Sequence, residues 1–361
     1  DFTEQFLDAS GNSYRLVSAG TVFKGDAKTT ELLLPDTITE IGSQAFSDMV
    51  LMVKLRLPAR LEKIGEKAFY GCVQLQDVTP LFPLTCTNFG ANAFASCSML
   101  PDFVLSDEIT SLPNSLFHSC KSLKNVRLPA KLQKMGSGVF WYCYGLTNVV
   151  PYIPYALSGT IPDYIFNSAP VRTERLCLDN PNITGFGAGP FGNNQFKYVD
   201  LSKTRITSIG SPWAGNSTVS EIIFPKTLRE FTSQTFHSFN GGNNQSVDVQ
   251  FQGDVPAITF TSNQALFYNT SSQTKFLFRA DYSNQSWHDY IDTYLDKEVD
   301  IGDGKTAVFV RKPTAAEVTT FKQRFPGLKS PLYMIRLQPY NMMDRYVYFK
   351  WMPAGFMIFV K

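Results

Sequence analysis

The chain has 361 residues, 43% of them apolar and 18% charged, with 33 Lys and Arg against 31 Asp and Glu. That composition is globular rather than disordered. A net charge of +2 with interspersed signs supplies no basic stripe for nucleic acid, and no run reaches the roughly 18 apolar residues that a membrane-spanning helix needs.

The first residue is Asp1 rather than Met, with no basic and apolar leader before the first structural pattern. The expectation is a chain from which a signal or lipoprotein segment has already been removed. Residues 2–7 and 14–17 flank a turn-rich stretch and predict a β-hairpin. Residues 1–24 are therefore read as an N-terminal cap.

From residue 25 to about 290 the chain repeats itself. Leu55-Arg56-Leu57-Pro58 leads through Ile64-Gly65 and Ala68-Phe69 to Cys72. The same order returns as Val126-Arg127-Leu128-Pro129, Met135-Gly136, Val139-Phe140 and Cys143, and residues 32–46 hold a third copy. One aromatic position recurs as Phe46, Phe69, Phe94, Phe117, Phe140, Phe166, Phe191, Trp213, Phe236 and Phe267, at roughly 25 residues per unit. An apolar-x-apolar pair follows most of these aromatics, as in Leu55/Leu57, Phe103/Leu105 and Ile222/Phe224. Alternation with period two predicts one short strand per coil, its apolar residues inward and the residue between them outward. Pro35, Pro58, Pro129 and Pro225 then end the strand. A single coil cannot bury its Leu, Ile and Phe alone, so stacking on neighbours makes the core.

Cys72, Cys97, Cys120 and Cys143 each lie three residues after the aromatic, a place that Asn194 and Asn216 take later. A small side chain with a polar atom can bond the backbone of a tight turn there. Spacings of 23 to 25 residues are not those of a zinc site, so reduced, buried thiols are expected and no metal. Cys86 reads as core. Cys177, between Leu176 and Leu178, is expected to face outward as the reactive thiol.

The run from Leu55 to Cys72 resembles the BspA-type leucine-rich repeat of bacterial surface and secreted proteins. That resemblance implies a right-handed solenoid that binds proteins or mediates adhesion, often behind a secretion or lipoprotein signal. Pro151, Ile153 and Pro154 depart from the pattern, as does the inserted Gly241-Gly242-Asn243-Asn244. The fold expected is an α/β-type repeat solenoid with one short parallel β-strand per coil, about 10–11 coils, an N-terminal β-hairpin cap and a small C-terminal α+β unit. Residues 280–290 resemble the family's closing segment, a short helix that lays Trp287 and Tyr290 over the last coil.

Residues 291–361 leave the repeat. A strand is expected over 306–311, a helix from the capping box at Thr314 and Glu317 to about Arg324, and strands over 333–337, 345–351 and 356–360. Whether this is an independent domain or an elaborate cap is open at this level.

Catalytic constellations are missing from the inventory. His118, His237 and His288 are the only histidines and read as surface residues. Nucleophile-elbow, zincin and phosphate-loop motifs are absent, and the glycines from Gly185 to Gly189 lack a strand-to-helix setting. The expectation is a non-enzymatic protein without cofactor, outside the cell or on its surface, with an unidentified protein or another extended macromolecule as partner. The binding residues expected are those facing outward from the strands: Lys54, Arg56, Asp77, Asp102, Val104, Asn125, Arg127, Arg175, Tyr198, Asp200, Glu221 and Ile223, with Glu31, Leu33, Asp248 and Gln250 on the same face. The alternative partner is a glycan on an exposed aromatic patch of Trp141, Tyr142, Tyr144, Tyr152 and Tyr155.

Overall fold

The computed structural model describes residues 6–7, 13–14, 18–19, 23–79, 82–146, 154–169, 174–215, 218–232, 235–236, 245–257, 267, 270, 273–302, 304–338 and 345–353. Two compact units emerge, one of residues 1–173 and 187–194, the other of residues 174–186 and 195–361. Each consists of parallel coils with a buried apolar interior.

In the first unit the recurring aromatic organises every coil. Phe23, Phe46, Phe69, Phe94, Phe117, Phe140, Phe166 and Phe191 stack in succession, with ring centroids 5.2 to 6.1 Å apart. Their peptide groups are bonded in both directions. Phe46 N–H donates to Ala68 O at 2.8 Å, and Phe69, Phe94, Phe117, Phe140 and Phe166 repeat that bond to the next coil. Cys72 Sγ donates back to Phe46 O at 3.1 Å, and Cys97, Cys120 and Cys143 repeat it to Phe69, Phe94 and Phe117. Asn194 Nδ2 does the same to Phe166 O at 2.9 Å. The thiol or amide thus satisfies a buried carbonyl, which otherwise costs about 1–3 kcal/mol.

Two residues flanking each aromatic take left-handed backbone, Gln44 and Asp48 around Phe46, Lys67 and Gly71 around Phe69, and so on to Gly189 and Asn193. These turns swing the chain around the ring. Glycine in the Ile-Gly pair has a separate reason. A Cβ on Gly65 would lie 2.6 Å from Ser43 N and 2.7 Å from the Gly42 carbonyl carbon, inside the preceding coil.

Two ladders run along the coils, not one. The expected strands are present as Glu31–Leu33, Lys54–Arg56 and Asp77–Thr79, paired in parallel. A second ladder joins Ser18–Ala19, Glu40–Ile41, Lys63–Ile64 and Asn88–Phe89. Its strands are only two residues long, too short to show alternation in sequence. Phe6–Leu7 and Ser13–Tyr14 form the expected antiparallel hairpin.

Contrary to the one-strand-per-coil expectation, residues 102–105 and 125–128 form no strand. The interval from Val78 to Gly90 is two residues longer than that from Leu55 to Gly65. Phe82 within it adopts φ 46° and is buried. Its ring lies edge-on between Phe94 and Phe103, 5.0 Å from each. The aromatic turn side stays bonded past this ring, with Phe69 N–H donating to Ala93 O and Phe94 N–H to Leu116 O.

In the second unit, Arg175–Cys177, Tyr198–Asp200, Glu221–Phe224, Ser246–Phe251 and Lys275–Asp281 pair in parallel. Arg345–Met352 then adds in parallel to Lys275–Asp281, with Tyr333–Gln338 and Val310–Arg311 antiparallel beyond it. The last strands therefore continue the repeat's own sheet. Leu176, Val199, Ile222, Val249, Phe278 and Phe349 form one buried inward row.

Helix α1 (Gln285–Tyr294) covers that side, with Trp287 stacked on Phe349 at 5.3 Å and its Nε1 donating to Gly253 O. Helix α2 (Ala315–Arg324) starts at the expected Thr314/Glu317 capping box. Its Phe321 packs with Phe325, Leu277, Met334 and Tyr348 on the opposite face of the sheet. The strand expected over 306–311 divides into Lys305–Val308 and Val310–Arg311, because the first pairs with Glu298–Gly302 and the second with Tyr333–Gln338. The strand expected over 356–360 lies outside the described residues. No helix among them is long and apolar enough to cross a membrane.

Gly65→Ala is expected to destabilise the protein by about 1–3 kcal/mol, because backbone must move to admit the methyl. Denaturant unfolding followed by circular dichroism measures this, and an unchanged midpoint would contradict the close inter-coil approach.

Candidate functional site

On the first unit, Glu31, Leu33, Arg56 and Asp77 are exposed and Lys54 is half-buried, as alternation requires. Val104 is 56% and Leu33 52% exposed. Val104, Asn125 and Arg127 are exposed and Asp102 is half-buried, all on irregular segments rather than strands.

Several of these residues hold neighbouring coils together. Arg56 pairs with Asp36 at 2.9 Å, and Arg127 with Asp107 at 2.8 Å, over the same sequence offset. Asp36 and Asp107 also accept the backbone N–H of Ala59 and Ala130. The recurring signal was available in Pro35-Asp36 and Ser106-Asp107, just after the strand positions. Such exposed pairs contribute about 0–1 kcal/mol each. Asp102 accepts the N–H of Lys124 at 2.6 Å, that of Asn125 at 2.9 Å and Asn125 Nδ2 at 2.5 Å. Partial burial pushes its carboxyl up, but these bonds outweigh burial and hold it below the usual carboxylate range.

The outward face of the second unit is largely closed. Arg175, Tyr198, Asp200, Glu221 and Asp248 are half-buried, while Ile223 and Gln250 are buried. The expected exposure of Ile223 is therefore corrected. It lies in register between Asp200 and Gln250, among long side chains that bond laterally across the sheet and exclude water. Gln250 Nε2 donates to Glu221 Oε1 at 2.7 Å, Arg279 pairs with Asp248 at 2.8 Å, and Arg175 lies over the Tyr198 ring. Burial, then repulsion from Asp248, raises the Glu221 carboxyl above its ordinary range. Burial also raises Asp248 despite Arg279.

The aromatic patch is partly self-covered, which corrects its expected exposure. Trp141 and Tyr142 are half-buried. The indole stacks on Tyr142 at 5.0 Å and on Tyr164, which sequence reasoning missed, at 4.8 Å. Tyr142 and Tyr164 both have left-handed backbone, with φ 58° and 54°, where other coils use mainly small or polar residues. Tyr144 and Tyr155 are exposed, and Tyr152 lies outside the described residues. His118 is half-buried, edge-on to Trp141, and burial lowers its basicity. His288 is half-buried and stacks on Trp351, and His237 lies outside the described residues.

The six cysteines are free: Cys72, Cys86, Cys97, Cys120 and Cys143 are buried and Cys177 is exposed. Burial pushes the Cys86 and Cys143 thiols up to about 12, and raises Cys97 and Cys120 well above their usual value. Partial burial also raises Cys177, against the opposing hydrogen bond from Arg175. Its distinction is access, not acidity.

Stacked parallel coils with a recurring buried aromatic and apolar strands define a leucine-rich repeat solenoid. The BspA type leucine rich repeat region, in six copies, matches residues 19–147 and 159–284, and the chain belongs to that family. Similar solved structures include a leucine rich cell surface protein from Faecalibacterium prausnitzii, 18% identical over 77% of this chain and 86% of that one, with a TM-score of 0.45. A leucine-rich repeat protein from Bacteroides ovatus is 19% identical over 74% and 89%, with a TM-score of 0.30. The pneumococcal vaccine antigen PcpA is 15% identical over 74% and 77%, with a TM-score of 0.45. No curated protein matches the chain.

In the native protein, Cys177 is expected to react with a maleimide while the five buried thiols do so only after unfolding. Mass spectrometry of the labelled chain checks this, and rapid labelling at Cys97 or Cys120 would contradict the closed core.

The raised Glu221 value also predicts a pH dependence. The folded state holds its proton to higher pH than the unfolded chain, so this contribution to stability is full below the unfolded value and is lost as pH rises through the folded one. Glu221→Gln, which can still accept from Gln250, should therefore raise the melting temperature by about 1–3 °C at pH 7.5. The gain should shrink toward pH 4. A lower melting temperature at pH 7.5 would contradict the cause assigned.

Proposed function

We propose that this protein is a non-enzymatic, exported component of the bacterial cell surface that binds a protein partner along the outward side of its coils. One observation carries the reading. Inward positions in the first unit repeat as buried apolar residues, whereas outward positions such as Glu31, Leu33, Asp77 and Val104 remain open, Lys54 is half-buried, and all vary in sign and size. Packing therefore constrains one side of each coil and leaves the other free for recognition. Exposed Leu33 and Val104 supply apolar contact beside charge, the mixture that protein interfaces use. Family membership supports export and surface location.

Charge reversal at Arg56, Asp102 or Arg127 is a poor test, because those side chains also tie coils together. Lys54, Asp77 and Val104 form no ion pair among the described residues. The triple variant Lys54→Glu, Asp77→Lys, Val104→Glu should retain its melting temperature and lose about tenfold in affinity for partners found on an extracellular-protein array. Unchanged binding to every such partner would exclude this face. Surface biotinylation of intact source cells checks the location, and labelling only after lysis would contradict it.

A further inference from the structure

We propose that a groove on the first unit, lined by Met99, Pro101, Asp102, Lys121, Lys124 and Gly145, anchors an extended peptide segment carrying carboxylate side chains beside an apolar residue. This rests on the protein-binding reading and names the chemistry of the partner.

The groove has a volume of about 580 Å³. Its walls come from successive coils, just before the irregular segments 102–105 and 125–128. Gly145 packs directly on the backbone of the preceding coil. A Cβ there would lie 2.8 Å from Leu123 O and closer still to Lys121 O, so this wall is backbone. Met99 is 41% exposed and forms an apolar wall with Pro101.

Charge selects the occupant. Lys121 and Lys124 are exposed, and neither forms an ion pair among the described residues. Asp102 attracts Lys124, but its oxygens are already engaged by two peptide N–H groups and the Asn125 amide. Nearby Asp107 and Glu108 are paired with Arg127 and Lys131. The lining thus carries two cations against one occupied carboxylate.

Backbone and ring chemistry decide between anionic partners. The N–H groups of Val104 and Arg127, further along the same two segments, make no hydrogen bond among the described residues. A peptide main chain can complement them. Among the described residues no aromatic ring lines the groove, and Trp141 is stacked on Tyr142 and Tyr164, so the groove itself offers no flat ring to a sugar. Two isolated lysines do not make the basic stripe of a nucleic-acid site.

Fluorescence polarisation on the full chain tests the proposal. The probes are a labelled ten-residue peptide alternating Glu and Leu, its Gln-for-Glu counterpart, and a heparin oligosaccharide as competitor. The acidic peptide should bind about tenfold more tightly than the Gln peptide, and more weakly as salt is raised. Lys121→Glu with Lys124→Glu should remove about tenfold of that affinity at an unchanged melting temperature. Lys54→Glu with Asp77→Lys should change it less than twofold. Equal binding of the two peptides, or an unchanged affinity in the groove variant, would overturn the assignment. Heparin binding more tightly than the peptide would overturn it in favour of an anionic glycan. Should the groove fail while the Lys54, Asp77, Val104 variant still loses its array partners, the outward-face reading stands without this anchor.

Discussion

Successive coils lie close enough for their peptide groups to hydrogen-bond, and that proximity governs most other features of each unit. The recurring phenylalanine donates its N–H to the next coil and accepts a thiol or amide from it. Its ring is meanwhile held near 5.5 Å from its neighbours, within the range of offset aromatic stacking. A side chain at the Ile-Gly glycine would enter the preceding backbone. Left-handed residues on both sides of the aromatic let the chain round the turn without breaking these bonds. The cysteine column is thus a set of hydrogen-bond donors, and its raised thiol values follow from the same burial.

That constraint acts on one side only, so variation in sign and size collects on the other. Outward residues meet no repeated packing requirement, so charge and size can change from coil to coil. Some of this freedom serves the stack itself, as in the Asp36–Arg56 and Asp107–Arg127 pairs. The two units use their outward sides differently. In the first it stays open, with Glu31, Leu33, Asp77 and Val104 exposed. In the second, lateral polar bonds and the helix α2 cluster close much of it, leaving Glu221 and Asp248 at raised carboxyl values.

The final segment shows how a parallel ladder can end. Its next position is filled by Arg345–Met352, which returns after α1, α2 and four other strands to lie parallel to Lys275–Asp281. Trp287 and Phe349 then occupy the interior where a further repeat would put its own apolar residues. An edge that would otherwise offer unpaired peptide groups is paired instead.

The repeat period, the aromatic column, the inward apolar residues, the capping box at Thr314 and Glu317 and the lone accessible Cys177 were legible in the sequence, because each depends on spacing within one coil or one helical turn. The second ladder was not, since two-residue strands carry no period. The burial of Ile223, the stacking of Trp141 on Tyr164, and the coil-tying role of Arg56 and Arg127 were also decided only in three dimensions. Each depends on what the neighbouring coil places opposite, about 20 to 27 residues away. A pattern that specifies which side chains point outward does not specify what they meet there. The groove at Met99 and Lys121 arises for the same reason: its walls come from successive coils.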